Sequence, residues 1–293
     1  MAWLSRILAP VAFSPSCRGA TQYAETLSCH FHSELILLHV VEPPITLYYA
    51  PPDAMAYTTA PELTAETLER RKAELKTYLR GQCPDIQVTR EVVEGDPASE
   101  IVDYARDHDV DLIVMATHGY GPFRRFLLGS VTAKVLHDAG CPVWTGPHLE
   151  KAPSYETIGF RSIVCAIDLA EGSRAVLEWA GRFAREYGAE LAIVHVLPES
   201  LVQWGGVYFD PEWRGQAAAA ARGQIVRLQE ELHTPGEILI EIGEAPVEVS
   251  GVASRRKADL VVIGRGRQSG LLGRLRANAY AILRESPCPV VTI

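Results

Sequence analysis

Glycine, serine, threonine and histidine residues cluster after one short apolar run in the first half of the chain. Residues Ala116–Pro122 read A-T-H-G-Y-G-P, and Gly129–Thr132 read G-S-V-T at the start of a predicted helix. Glycines let backbone amides approach a phosphate, and a helix N-terminus adds unpaired N–H groups and the positive end of the helix dipole. The pattern predicts phosphate binding, with Arg124 and Arg125 as counter-charges. A glycine turn followed by a serine N-cap is the structural alternative.

The second half of the chain has a different loop at the corresponding place. Gly264-Arg265-Gly266 follows an apolar run, but Arg276 stands where the first half has Gly129. An arginine side chain there would fill the space through which a phosphate reaches the helix N-terminus. Two readings stay open: a solvated basic loop, and an anion site that uses guanidinium groups. The residues of this candidate anion site are Asp168, Gly264, Arg265, Arg267 and Arg276.

Several other chemistries are absent from the sequence. No Gly-Lys dipeptide is present, so there is no Walker loop, and neither G-x-S-x-G nor H-E-x-x-H occurs. No carboxylate pair or metal-ligand spacing stands out. We therefore expect no dedicated enzyme, no catalytic residues and no metal site, although slow ATP hydrolysis stays open.

Charge and composition limit the partners. The chain has 28 basic and 36 acidic side chains, a net charge of −8, and lacks the basic footprint of a nucleic-acid binder. No apolar run approaches the ~18 residues of a membrane span, so we expect no membrane partner. The six cysteines include no C-x-x-C pair, which predicts buried free thiols in a reducing compartment. A cytoplasmic location follows as the expectation.

The elements that must position the loops occur twice. Ile7–Ala12 corresponds to Ile163–Asp168, and the final Cys-Pro-Val of each half also corresponds. Short apolar runs alternate with amphipathic stretches, which predicts an α/β fold of two tandem, doubly wound, parallel five-stranded sheets. The predicted domains are residues 1–146 and 161–293, with residues 147–160 as the linker. The expected site lies at the carboxyl ends of the strands.

The loop spacing resembles the nucleotide loop of the universal stress protein family, in which G-x-x-G is followed by nine residues and then G-S or G-T. Gly119 is followed by nine residues and then Gly129-Ser130. The resemblance extends over both halves, through Gly95-Asp96-Pro97, Asp111–Met115 and the Cys-Pro-Val endings. It implies a nucleotide site in the first domain made of Pro10, Val11, Ala12, Val40, Met115, Ala116, His118, Gly119, Gly129, Ser130, Val131 and Thr132.

The first domain departs from the family pattern at two positions. Ala12 stands where nucleotide-binding members have an aspartate that holds adenine, and Ala116 replaces the first glycine of the loop. The lost carboxylate acceptor weakens adenine selection by ~1–3 kcal/mol where a donor is left unpaired. Ala116 costs little if its φ is negative. Both a working site and an empty site therefore stay open.

The resemblance implies a stress-response or signalling protein without strong catalysis. Its ligand would be ATP or another adenine nucleotide, with or without Mg²⁺, and a protein partner would read the bound state. The alternative is a nucleotide-free interaction scaffold. In either case the last strands of the two domains would pair as an intramolecular pseudo-dimer, and a further homodimer stays open.

Overall fold

The protein is described by a computed structural model that covers residues 3–43, 60–79, 83, 85–117, 128–146, 159–199, 211–266 and 277–293. Strands and helices alternate along these residues. In the first half they are β1 (Arg6–Pro10), α1 (Pro15–Phe31), β2 (Glu34–Val41), α2 (Ala60–Thr77), β3 (Val88–Glu94), α3 (Pro97–Asp107), β4 (Leu112–Val114), α4 (Ser130–Asp138) and β5 (Val143–Thr145).

The second half repeats the same order of elements. They are β6 (Ser162–Ala166), α5 (Ser173–Tyr187), β7 (Glu190–Leu197), α6 (Pro211–Leu232), β8 (Glu237–Ile242), α7 (Ala245–Arg255), β9 (Leu260–Ile263), α8 (Ala277–Glu285) and β10 (Val290–Thr292).

The strands of the first half lie in the order β3-β2-β1-β4-β5. Strand β1 pairs in parallel with β2 on one side and with β4 on the other, and β2 pairs in parallel with β3. Parallel neighbours need crossover connections, and right-handed crossovers distribute the helices over both faces. The chain reverses direction across the sheet between β1 and β4, which is where a ligand crevice forms in this class of fold.

The second half has the equivalent order, β8-β7-β6-β9-β10. Strand β6 pairs in parallel with β7 and β9, and β7 pairs in parallel with β8. The predicted fold class, two tandem doubly wound parallel five-stranded sheets, is confirmed. The strands are apolar because helices cover them: Ile7, Leu8 and Ala9 of β1 are each 0% exposed.

Matched hydrogen bonds show that the two halves fold by the same local rules. The carboxylate of Asp111 accepts from the amides of Ser5 and Arg6 at 2.6 and 3.0 Å, at the start of β1. Asp259 accepts in the same way from Arg161 and Ser162 at 2.7 and 3.0 Å, at the start of β6. These aspartates therefore fix the start of the first strand in each half.

The chain divides by its internal contacts into two compact units. Residues 3–117 and 129–143 belong to the first unit, and residues 128, 144–146 and 159–293 belong to the second, counting only the described ranges. Residues 147–158 of the predicted linker lie outside the described residues. In the part of the chain that the structure covers, no helix is both long enough and apolar enough to cross a membrane.

The prediction that all the cysteines are free thiols is wrong for two of them. Cys29, in the last turn of α1, and Cys83, between α2 and β3, form a disulfide whose Cα atoms are 6.2 Å apart. The two residues are 54 positions apart in the sequence, and only the packing of α1 beside the connection into β3 brings them together. Cys17, Cys165 and Cys288 are buried free thiols, as predicted, whereas Cys141 is a free thiol that is partly exposed.

Candidate functional site

The candidate site of the first unit lies where three neighbouring strands end. Pro10 is the last residue of β1, Val40 is the penultimate residue of β2, and Met115 directly follows β4. Because β2, β1 and β4 are adjacent and parallel, their carboxyl ends lie at the same edge of the sheet. Three residues of the predicted nucleotide site are therefore brought to one edge.

The start of helix α4 is fixed at this edge by two hydrogen bonds. The amide of Gly129 donates to the carbonyl oxygen of Thr117 at 2.9 Å. The hydroxyl of Thr132 donates to the carbonyl oxygen of Ala116 at 3.0 Å. The helix begins at Ser130, and the amides of a first helical turn have no acceptor within the helix. The positive end of α4 therefore faces the ends of the strands, and its first turn contains no acidic residue.

Burial separates the predicted site residues into two groups. Val11, Met115, Ala116 and Thr132 are at most 7% exposed, so they form the floor of the site rather than its surface. The hydroxyl of Thr132 is also bonded to a backbone carbonyl and is not a phosphate donor here. The accessible group consists of Pro10, Ala12, Val40, Gly129, Ser130 and Val131. His118 and Gly119 lie outside the described residues.

The end of β1 is tied to β2 by a histidine. His39 Nδ1 is 2.6 Å from the carbonyl oxygen of Val11, and the amide of Val11 donates to Leu38 at 2.8 Å. Burial lowers the pKa of His39, the bond to Val11 opposes this, and the neutral imidazole is favoured overall. His195 makes the matching contact with Ile167 at 2.9 Å in the second unit. Each histidine therefore ties the end of the first strand of its own unit to the second strand.

The turn after β1 uses a cysteine that sequence reasoning did not assign to the site. The sulfur of Cys17 lies 3.4 Å from the amide of Ala12 and 3.3 Å from the hydroxyl of Ser14. Ser14 also caps α1, accepting from the amide of Cys17 at 3.3 Å, as its position before Pro15 predicts. The repeat could have indicated this residue. Ser173 stands at the position of Cys17 in the second half, and it bonds to Asp168, which stands at the position of Ala12.

A lysine beside the helix start is held by a carboxylate. Asp96 caps α3 by accepting from the amide of Ser99 at 2.9 Å, and it also accepts from Lys134 of α4 at 2.9 Å. The bonds from Ser99 and Lys134 lower the pKa of Asp96 to about 2. Lys134 is therefore paired with α3 and its charge is not directed at the start of α4.

The second unit has an aspartate, Asp168, at the position of Ala12, and its carboxylate accepts hydrogen bonds from residues that follow closely in the sequence. Oδ1 of Asp168 accepts from the amide of Ala170 at 3.0 Å and from the hydroxyl of Ser173 at 3.1 Å. Because β6 and β9 are adjacent, Asp168 and Gly264 follow neighbouring strand ends. Arg265 is only 6% exposed, so its side chain is not part of a solvated basic face. Arg267 and Arg276 lie outside the described residues.

The first glycine of the loop differs between the units because its neighbour differs. A Cβ placed on Gly264 would lie 3.2 Å from Cγ2 of Val176, on α5. In the first unit Ala20 stands at the position of Val176, and Ala116 at the position of Gly264. Ala116 does not have a positive φ, so the backbone accepts its methyl group. Position 116 therefore accepts an alanine without backbone strain.

The comparisons with known proteins agree with this geometry. A model of the universal stress protein family matches residues 4–145 and again residues 159–293. A universal stress protein of Methanocaldococcus jannaschii is 31% identical over 138 residues, which are 47% of this chain and 79% of that protein. A universal stress protein of Mycolicibacterium smegmatis is 21% identical, with 98% of this chain and 96% of that protein covered.

Solved structures match over the whole chain and over single halves. The crystal structure of a universal stress protein from Archaeoglobus fulgidus has a TM-score of 0.67 at 20% identity, covering 98% of this chain and 97% of that one. A universal stress protein in complex with cAMP matches 46% of this chain and 98% of its own, at 22% identity and a TM-score of 0.35. Because the family model matches both halves, this chain belongs to the universal stress protein family as a protein of two tandem domains.

Proposed function

We propose that the first domain binds an adenine nucleotide, with ATP as the principal ligand, and acts in stress response or signalling without strong catalysis. The observation that carries the proposal is the start of α4, which two hydrogen bonds fix to the residues directly after β4, the strand that pairs with β1. Family membership supports the same assignment. A cytoplasmic location, where ATP is supplied, is part of the proposal.

The accessible residues suggest how the ligand would lie. Pro10, Ala12 and Val40 would contact the base through apolar surface, since Ala12 offers no carboxylate. The amides of Ser130 and Val131 would face the phosphates at the positive end of α4, and the exposed hydroxyl of Ser130 would add a donor. A Mg²⁺ ion would depend on the phosphates for most of its ligands. Within the described ranges, no group of three His, Cys, Asp or Glu residues could hold a metal ion.

The decisive variant is Gly129→Arg, which copies the residue of the second domain. The arginine side chain would occupy the space in front of Ser130, so we expect ATP binding by titration calorimetry to be lost. Gly129→Ala is the matched control. Gly129 has φ −59° and ψ 146°, which alanine also adopts, so its affinity should stay within about threefold of wild type.

Nucleotide stoichiometry separates the remaining possibilities. Mass spectrometry of nucleotide released from purified, undialysed protein, with calorimetry, should give close to one nucleotide per chain. Two per chain would mean that the basic loop of the second domain also binds. No nucleotide and no heat, or unchanged affinity in Gly129→Arg, would overturn the proposal. The scaffold alternative, a pseudo-dimer formed through the last strands with a protein partner, would then be favoured.

A further inference from the structure

A pair of cysteines lies away from the nucleotide site, at the opposite end of α1. Cys29 is in the last turn of α1, whereas the candidate base contacts adjoin the first turn of that helix. Cys83 belongs to the connection that leads from α2 into β3. Their Cα atoms are 6.2 Å apart, within the range that a disulfide spans without backbone movement.

The second domain shows that the fold does not need this covalent bond. Arg185 stands at the position of Cys29, in the last turn of α5. Its guanidinium group donates to the carbonyl oxygen of His233 at 2.9 Å, in the connection between α6 and β8. The same junction is therefore closed by an exposed hydrogen bond in one domain and by a disulfide in the other. The fold can therefore close this junction without a covalent bond.

The pair is also reachable from solvent, unlike the buried cysteines. Both Cys29 and Cys83 are partly exposed. Cys165 is 0% exposed and Cys288 6% exposed. Burial raises the pKa of the Cys165 thiol, and it raises that of Cys288 to about 12, so neither forms a thiolate readily. Exposed disulfides are the ones that small reductants reopen.

We propose that Cys29 and Cys83 form a reversible redox pair, closed by hydrogen peroxide and opened by a dithiol, which gives the chain a redox-sensing site. This inference goes beyond nucleotide binding and does not depend on it. One thiolate attacks a peroxide oxygen, the O–O bond breaks, and a sulfenic acid and water result after proton transfer. The second thiolate attacks the sulfenic sulfur, the S–S bond forms, and a second water leaves. Two thiols thus lose two electrons and two protons, and one peroxide becomes two waters.

Formation of the disulfide would tether the segment between α2 and β3 to the last turn of α1. Near its start the same segment is also held by a non-covalent bond, from the guanidinium group of Arg90 to the carbonyl oxygen of Leu79 at 3.3 Å, which does not depend on the cysteines. We therefore expect amide exchange in the described residues 78, 79, 83 and 85–87 to slow at least tenfold on oxidation, while exchange in the corresponding part of the second domain stays unchanged.

The experiment uses the full chain, reduced with dithiothreitol, desalted and treated with a small excess of hydrogen peroxide. Thiol titration in denaturant should show the loss of two of the six thiols, and dithiothreitol should restore both. Peptide mapping should recover the peptides of Cys29 and Cys83 as one cross-linked species. Circular dichroism should show the same fold in the reduced and oxidised states.

Three variants sharpen the test. Cys29→Ser and Cys83→Ser should each abolish the cross-linked species, whereas Cys141→Ser, which removes another partly exposed cysteine, should preserve it. Failure of peroxide to close the pair would overturn the proposal. So would loss of the fold on reduction, because the disulfide would then be a structural staple.

Discussion

The hydroxyl of Thr132 donates to the carbonyl oxygen of Ala116 across 16 residues of sequence, at 3.0 Å. Both residues are buried, and the bond joins the end of β4 to the first turn of α4. Together with the bond from Gly129 to Thr117, it joins the two ends of the connection between β4 and α4. These two hydrogen bonds therefore fix the start of α4 to the residues that directly follow β4.

Replacing Thr132 with valine tests the bond to Ala116. Thr132→Val keeps the shape of the side chain but leaves a buried carbonyl oxygen without its donor, so we expect the free energy of unfolding to fall by about 1–3 kcal/mol. Thr132→Ser retains the hydroxyl and should lose less. Urea denaturation measures both, and a valine variant as stable as wild type would show that the bond contributes nothing.

Restoring the missing aspartate should strengthen adenine binding. Ala12→Asp returns the acceptor that nucleotide-binding family members have, so we expect ATP affinity to rise by roughly 5- to 100-fold. Ala12→Leu fills the same space without an acceptor and should give no increase. Titration calorimetry compares the two. In the second domain the carboxylate of Asp168 accepts from Ala170 and Ser173. Unchanged affinity in Ala12→Asp would show that the new carboxylate is bonded within its own turn in the same way and does not reach the adenine.

A double-mutant cycle can measure how the residues at positions 264 and 176 depend on each other. Gly264→Ala should destabilise the protein by about 1 kcal/mol or more, because the new Cβ would lie 3.2 Å from a methyl of Val176. In a Val176→Ala background the same change should cost nothing, since the pair then matches Ala20 and Ala116 of the first domain. Equal effects in both backgrounds, measured by denaturant unfolding, would show that the two sites are independent.

The contribution of Asp96, the N-cap of α3, to the free energy of unfolding should depend on pH only below about pH 4. The folded pKa of Asp96 is about 2 against an ordinary value of 3.8, so its ionised form contributes stability above about pH 4 that is lost as the pH falls towards 2. The difference in unfolding free energy between wild type and Asp96→Ala should therefore be constant from pH 5 to 7 and shrink below pH 4. Lys134→Met should reduce the difference, because it removes one of the two partners of the carboxylate. A difference that persists undiminished at pH 2 would contradict this.

The repeated pattern of apolar runs determined most of the fold. Strands such as β1 and β6 are apolar on both faces, and that property allows only burial between helices in a parallel sheet. The site edge followed from the same pattern, because parallel strands bring their carboxyl ends to one edge. The glycine–serine pair at positions 129 and 130 was sufficient to locate the helix start, since its spacing is local.

Contacts between distant residues were decided only by the tertiary structure. Cys29 and Cys83 carry no motif, and their pairing depends on how α1 packs beside the connection into β3. The space around Gly264 also depends on the tertiary structure, because the side chain of Val176 limits it. From the sequence we expected the hydroxyl of Thr132 at a phosphate, whereas in the structure it donates to the carbonyl oxygen of Ala116. Periodicity specifies which face of an element is buried, whereas the partner that a side chain meets there is fixed by packing between elements far apart in the chain.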